Sequence, residues 1–115
     1  MGGVDLDPVV TNPDHYRVVL ENAHVRVLAY EDVPGDRTTP HVHPNSVMIT
    51  RSAFSRRLAG SQGARDVVLP EGAVVWLPAQ EHTGENTGTT PTRVVLVELK
   101  GGPTEPAPGP VLGPE

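Results

Sequence analysis

Apolar and polar residues alternate along several short stretches of this chain. Residues 24–30 show the pattern most clearly. Val25, Val27 and Ala29 fall on one side of an extended segment, with Arg26, Leu28 and Tyr30 on the other. Side chains alternate across a strand with a period of two, so this stretch predicts a half-buried β-strand. The same texture predicts strands at 17–20, 38–43, 46–51, 54–59, 65–69 and 93–99. Residues 73–77 are almost continuously apolar and predict a buried strand. Residues 81–86 are short and polar. No stretch of ten residues holds a helical period.

Between these runs lie the turn formers: Pro34-Gly35, Pro44-Asn45, Gly60-Ser61-Gln62-Gly63, Pro70-Glu71-Gly72 and Pro78-Ala79. Short strands at regular spacing, separated by such signals, predict an all-β sandwich or barrel. The ends read differently. Residues 1–16 carry Gly2, Gly3, Pro8 and Pro13 and predict an irregular arm. In 101–115, nine of fifteen residues are Gly or Pro, and Val111 and Leu112 are the only large apolar ones. Such a segment buries too little surface to offset its ordering entropy, so a disordered tail is expected. That leaves 17–100 as the folded body.

Composition narrows the function. The 115 residues suit one domain, and none is cysteine. Disulfides, thiolate nucleophiles, iron–sulfur clusters and cysteine-type zinc sites are excluded together. A net charge of −5 argues against nucleic acid as the partner. Arg51, Arg56 and Arg57 form one local basic cluster, read as a solvated strand face. No apolar run is long enough to span a membrane, and no basic or apolar segment opens the chain. The expectation is a soluble, cytoplasmic protein whose partner is a small molecule.

Histidine carries the chemistry. His41 and His43 are two apart, so on a strand they share a face and can reach one ion. His82 follows Gln80 at the same spacing, with Asn86 in the same parity. His15 and His24 read as surface and rim residues. Three imidazoles with one amide oxygen or water suit a first-row divalent ion, and the lack of thiolate favours a catalytic site over a purely structural one. Such an ion serves Lewis-acid or oxygen chemistry.

At these residues the chain resembles the cupins, small jelly-roll β-barrels. The first cupin motif runs Gly, five residues, His-x-His, then a Glu. Gly35, His41 and His43 match it. The second runs Gly, five residues, Pro-x-Gly, two residues, His, three residues, Asn. Gly72, Pro78, His82 and Asn86 match it, although the Gly of Pro-x-Gly is missing and Pro78 to His82 is one residue short. The motif's Glu falls on Val47 or Met48.

The resemblance covers about residues 17–100 and implies a single-domain jelly-roll barrel. Inside it a divalent metal (Fe, Zn, Mn, Ni or Cu) would be held by His41, His43 and His82. Three completions of the ligand set stand open. Gln80 ligates, as in the Gln-x-His pair of cupin-class sugar-phosphate isomerases; Glu98 reaches in from the last strand; or three histidines act with waters, as in thiol dioxygenases. Gln80 is the favoured extra ligand. Met48, Trp76, Asn86, Glu98 and Tyr30 are expected in the pocket or behind the ligands, and Tyr16 and Tyr30 are candidates to offer a phenol to a ligand.

The function this implies is a metalloenzyme acting on a small organic molecule. Oxygenase chemistry is favoured over isomerase or lyase chemistry. A non-catalytic ligand-binding or structural module is the alternative. A homodimer through edge strands is also expected.

Overall fold

In a computed structural model, residues 5–101 and 112–115 are described, and nine strands and one short helix form among them. The strands are β1 (Tyr16–Glu21), β2 (Val25–Asp32), β3 (His41–His43), β4 (Ser46–Thr50), β5 (Phe54–Gly60), β6 (Gly63–Leu69), β7 (Val74–Leu77), β8 (Gln80–Asn86) and β9 (Thr92–Leu99). All pairings are antiparallel. They build a five-stranded sheet in the order β1-β2-β9-β4-β7 and a four-stranded sheet in the order β3-β8-β5-β6. This is the all-β architecture that the strand spacing predicts, arranged as the jelly roll that the resemblance implies. It is two sheets with free edge strands rather than a closed barrel.

The predicted parity of β2 holds. Leu28 and Tyr30 are buried while Val25 and Val27 are only half-buried. Register then stacks the inward residues of neighbouring strands. Tyr30 lies opposite Val94 and Leu28 opposite Leu96 on β9, and Leu96 lies opposite Met48 on β4. With Tyr16, Phe54 and Leu77 these form one apolar cluster. The facing four-stranded sheet is different in kind. Its buried side chains include His41, His43, Gln80, His82 and Arg56. The β3–β8 end of this sheet therefore presents imidazoles to the apolar cluster, and burial leaves those polar groups dependent on partners within the protein.

Three expectations need correction. β7 is not buried on both faces, because it is an edge strand bonded only to β4. Val74 is 66% exposed and Trp76 37%. A continuous apolar run cannot reveal an edge position. Arg56 is not part of a solvated face. It shares the inward parity of Phe54 and Leu58 and is 8% exposed. The N-terminal arm contains a one-turn helix, α1 (Pro8–Thr11), capped by the Asp7 side chain, which accepts from Val9 N.

Most of the expected tail lies outside the described residues. Residues 112–115 lie against the sheets: Arg65 Nη1 donates to the carbonyls of Leu112 (2.9 Å) and Pro114 (3.2 Å), and Glu115 N donates to Trp76 O (2.8 Å). No helix among the described residues is long and apolar enough to cross a membrane.

Candidate metal centre

The three histidines meet. β3 puts His41 and His43 on its inward face, and the β3–β8 register sets His82 directly opposite His41 and Gln80 opposite His43. The ring centroids are 4.8 Å apart for His41–His43 and His41–His82, and 5.1 Å for His43–His82, with the rings edge-on to one another. One nitrogen from each lies within 4.8 Å of the others. His41 and His43 are each 1% exposed and His82 7%.

The far side of each ring decides which nitrogen is free. His41 Nδ1 is 2.7 Å from the Thr39 carbonyl, His43 Nδ1 is 3.4 Å from Glu98 Oε2, and His82 Nδ1 is 2.7 Å from Gln80 Oε1. The orientation of the Gln80 amide follows from its other partners. Its Oε1 accepts from Gly113 N (2.7 Å), and its Nε2 donates to the carbonyls of Pro78 (3.0 Å) and Gly113 (3.2 Å). All three Nδ1 atoms therefore face acceptors and carry the proton. All three Nε2 atoms keep a lone pair. Imidazoles held in this way by a carbonyl, a carboxylate and an amide are preset as ligands.

The electrostatics agree. Burial lowers the pKa of His41, with the Arg56 charge adding to it. It lowers those of His43 and His82 further, each aided by the neighbouring imidazoles. These directions favour the neutral imidazoles that a ligand set needs. Burial raises the Glu98 carboxyl, against the pull of Arg26. Arg26 Nε donates to Glu98 Oε1 (2.8 Å), and the rest of its guanidinium grips Asp7 (2.7 and 3.1 Å). The chain Asp7–Arg26–Glu98–His43 thus ties the N-terminal segment to the site.

The other expected site residues fall as follows. Gln80 is not a ligand here, because its oxygen serves His82 Nδ1 and Gly113 N. Glu98 stands behind His43 rather than on the side of the shared nitrogens. Met48 lines the cavity, while Val47 pairs with Trp76 in the β4–β7 ladder. Trp76 does not line the cavity, because its parity on β7 turns it outward. Asn86 sits apart from the histidines. It donates to Asp32 Oδ1 (3.0 Å) and Thr90 O (2.9 Å), and it accepts from Gly88 N (3.0 Å). Tyr30 lines the cavity, but its hydroxyl donates to Asp32, which Arg56 Nη1 also grips. Of the two phenols, Tyr16 is the one that reaches the imidazoles: its hydroxyl is 3.3 Å from Nε2 of both His41 and His43. Its place at the end of the predicted arm gave little sign of this.

Beside the histidines is a cavity of about 60 Å³. Its walls include Met48, Phe54, Leu58, Leu77, Val94 and Leu96, and Pro114 also lines it. A space of this size with these walls suits a small, largely apolar molecule. An N₃ donor set without thiolate fits Fe, Zn, Cu or Ni better than Ca or Mg.

No protein-family model and no curated protein matches the chain. Solved structures do. A cupin domain from Bordetella pertussis Tohama I is 25% identical, with a TM-score of 0.69, over 74% of this chain and 91% of that one. A protein with a double-stranded β-helix domain from Klebsiella pneumoniae subsp. pneumoniae MGH 78578 is 27% identical, with a TM-score of 0.60, over 75% and 76%. The polyketide cyclase RemF from Streptomyces resistomycificus is 18% identical, with a TM-score of 0.56, over 86% and 68%. This last likeness is one of fold.

Proposed function

We propose that this chain, a member of the cupin superfamily, is a metalloenzyme that oxidises a small organic molecule, using a divalent first-row ion held by His41, His43 and His82. One observation carries the reading: one nitrogen from each of three buried imidazoles lies within 4.8 Å of the others, while every Nδ1 faces an acceptor and leaves Nε2 free to bind. A bound ion of this class supplies Lewis-acid or dioxygen chemistry.

The chain's own groups do the rest. Thr39 O, Glu98 and Gln80 fix the rings. The apolar wall of Met48, Phe54 and Leu96 excludes water and receives an uncharged part of the substrate. Arg56 also borders the cavity, but Asp32 neutralises it, which disfavours a strongly anionic substrate.

The test is elemental analysis of the purified protein beside His41→Ala, followed by an oxygen-uptake screen of the metal-loaded form. Metal in the wild type alone, with uptake on some small apolar substrate, supports the reading. Metal without uptake moves the assignment to Lewis-acid isomerase or lyase chemistry. The same metal content in His41→Ala as in the wild type contradicts the site.

A further inference from the structure

We infer that Tyr16 is a fourth protein ligand of the ion held by His41, His43 and His82; this rests on the metal site proposed above. The phenol oxygen lies 3.3 Å from Nε2 of His41 and 3.3 Å from Nε2 of His43. Donors bound to one ion at about 2.0–2.1 Å stand about 3.3–3.4 Å apart in a tetrahedral set and about 2.9 Å apart when adjacent in an octahedral one. Tyr16 is already at ligand-to-ligand spacing from two of the three nitrogens. As hydrogen bonds both contacts are long, and one phenol proton serves one nitrogen at a time. Both distances match the spacing of donors around one shared ion.

The placement of Tyr16 is specific. It is the only buried residue of β1. Its ring is wedged between Tyr30 (centroids 4.6 Å apart) and His41 (5.4 Å). The hydroxyl of Tyr30 is engaged by Asp32 and Arg56, whereas that of Tyr16 bonds, among the described residues, to the two imidazoles. Among the described residues, no carboxylate joins the three histidines as a further donor. Val47 and Met48 carry no carboxylate, and Glu98 is committed to His43 Nδ1 and Arg26. Burial holds the phenol in its protonated form in the metal-free chain, so Tyr16 Oη would become that donor only on metal uptake, its proton passing to solvent.

The probe is copper(II), titrated into the metal-stripped full-length chain and followed by visible absorption and resonance Raman. In the wild type, one equivalent of copper is expected to give a phenolate-to-copper charge-transfer band with enhanced phenolate ring modes. Tyr16→Phe keeps the ring packing. It is expected to bind one equivalent with weaker affinity and without the band. A wild type that binds one equivalent with no phenolate signature overturns the role of Tyr16 and leaves the three-histidine site standing, as does a band that persists in Tyr16→Phe. A wild type that binds no copper overturns the metal site itself. If Tyr16→Phe folds poorly, Tyr30→Phe decides the point: a band that survives there belongs to Tyr16, and one that is lost overturns its role.

Discussion

Replacing Asp32 with alanine tests how the polar end of the cavity is held together. The Asp32 carboxylate accepts from the Tyr30 hydroxyl, from Arg56 Nη1, from Asn86 Nδ2 at 3.0 Å and from Thr92 N at 3.4 Å. Its side chain is fully shielded from solvent and that of Arg56 is 9% exposed. Removing the carboxylate leaves a guanidinium charge in the interior, with Thr92 Oγ1 (3.2 Å) as a neutral acceptor beside it. Breaking a buried pair from one side costs about 3–5 kcal/mol. In a domain of this size that is a Tm drop on the order of 10–20 °C.

Adding Arg56→Met removes the stranded charge, and the double variant is expected to recover about 2 kcal/mol or more over Asp32→Ala alone. The pH dependence has a definite sign. Burial pushes the Asp32 carboxyl up, but the bonds from Tyr30 and Arg56 outweigh it and hold the group below the usual range. Its contribution is therefore present above the unfolded value of about 3.9 and lost as pH falls through the folded value. Asp32→Asn should lose that acid-limb dependence. Urea melts of the four proteins at neutral and acidic pH provide the measurement. A cost below about 1 kcal/mol for Asp32→Ala, or a double variant no more stable than the single, would refute the buried-pair reasoning.

Other outcomes follow from the same structure. Gln80→Leu removes the acceptor behind His82 and should weaken metal binding about 10–100-fold in a competition titration, leaving the strand content by circular dichroism unchanged. Leu28→Ala empties a fully buried position between the sheets and should cost about 2–5 kcal/mol in a denaturant melt. Gly84→Ala puts a Cβ 2.7 Å from Arg56 Nη2 and 3.2 Å from Leu58 Cδ2. It should cost about 1–3 kcal/mol by displacing the guanidinium from Asp32. Deleting residues 102–115 removes both Gly113 partners of Gln80 and the Pro114 wall of the cavity. A lower Tm and faster exchange of the Gln80 side-chain amide are expected, and an unchanged amide would contradict that contact.

Much of this was legible in the sequence because strand parity is a local property. The spacing of His41 and His43 fixed their common face. The alternation in β2 put Leu28 and Tyr30 on one face, though not which face is inward, and the parity of Gln80 with His82 was visible before any pairing was known. What the sequence withheld depends on register between distant segments. Whether Gln80 binds an ion or steadies His82 turns on where its oxygen points, and residue 113 helps to set that. Trp76 was misplaced because an apolar run looks the same at a sheet's edge as at its centre. Arg56 looked like surface charge until Asp32, 24 residues earlier, was brought to it. Tyr16 stood at the end of an arm with no pattern of its own, and only its pairing with Tyr30 carries it to the imidazoles.

The most direct measurement is anomalous diffraction from crystals of the metal-loaded chain, recorded at the absorption edge of the bound element. The convergence of Nε2 atoms predicts one strong peak among His41, His43 and His82, about 2.0–2.1 Å from each nitrogen once the site has closed on the ion. A peak at another place on the protein, or loaded crystals with none in the cavity, would contradict the central claim.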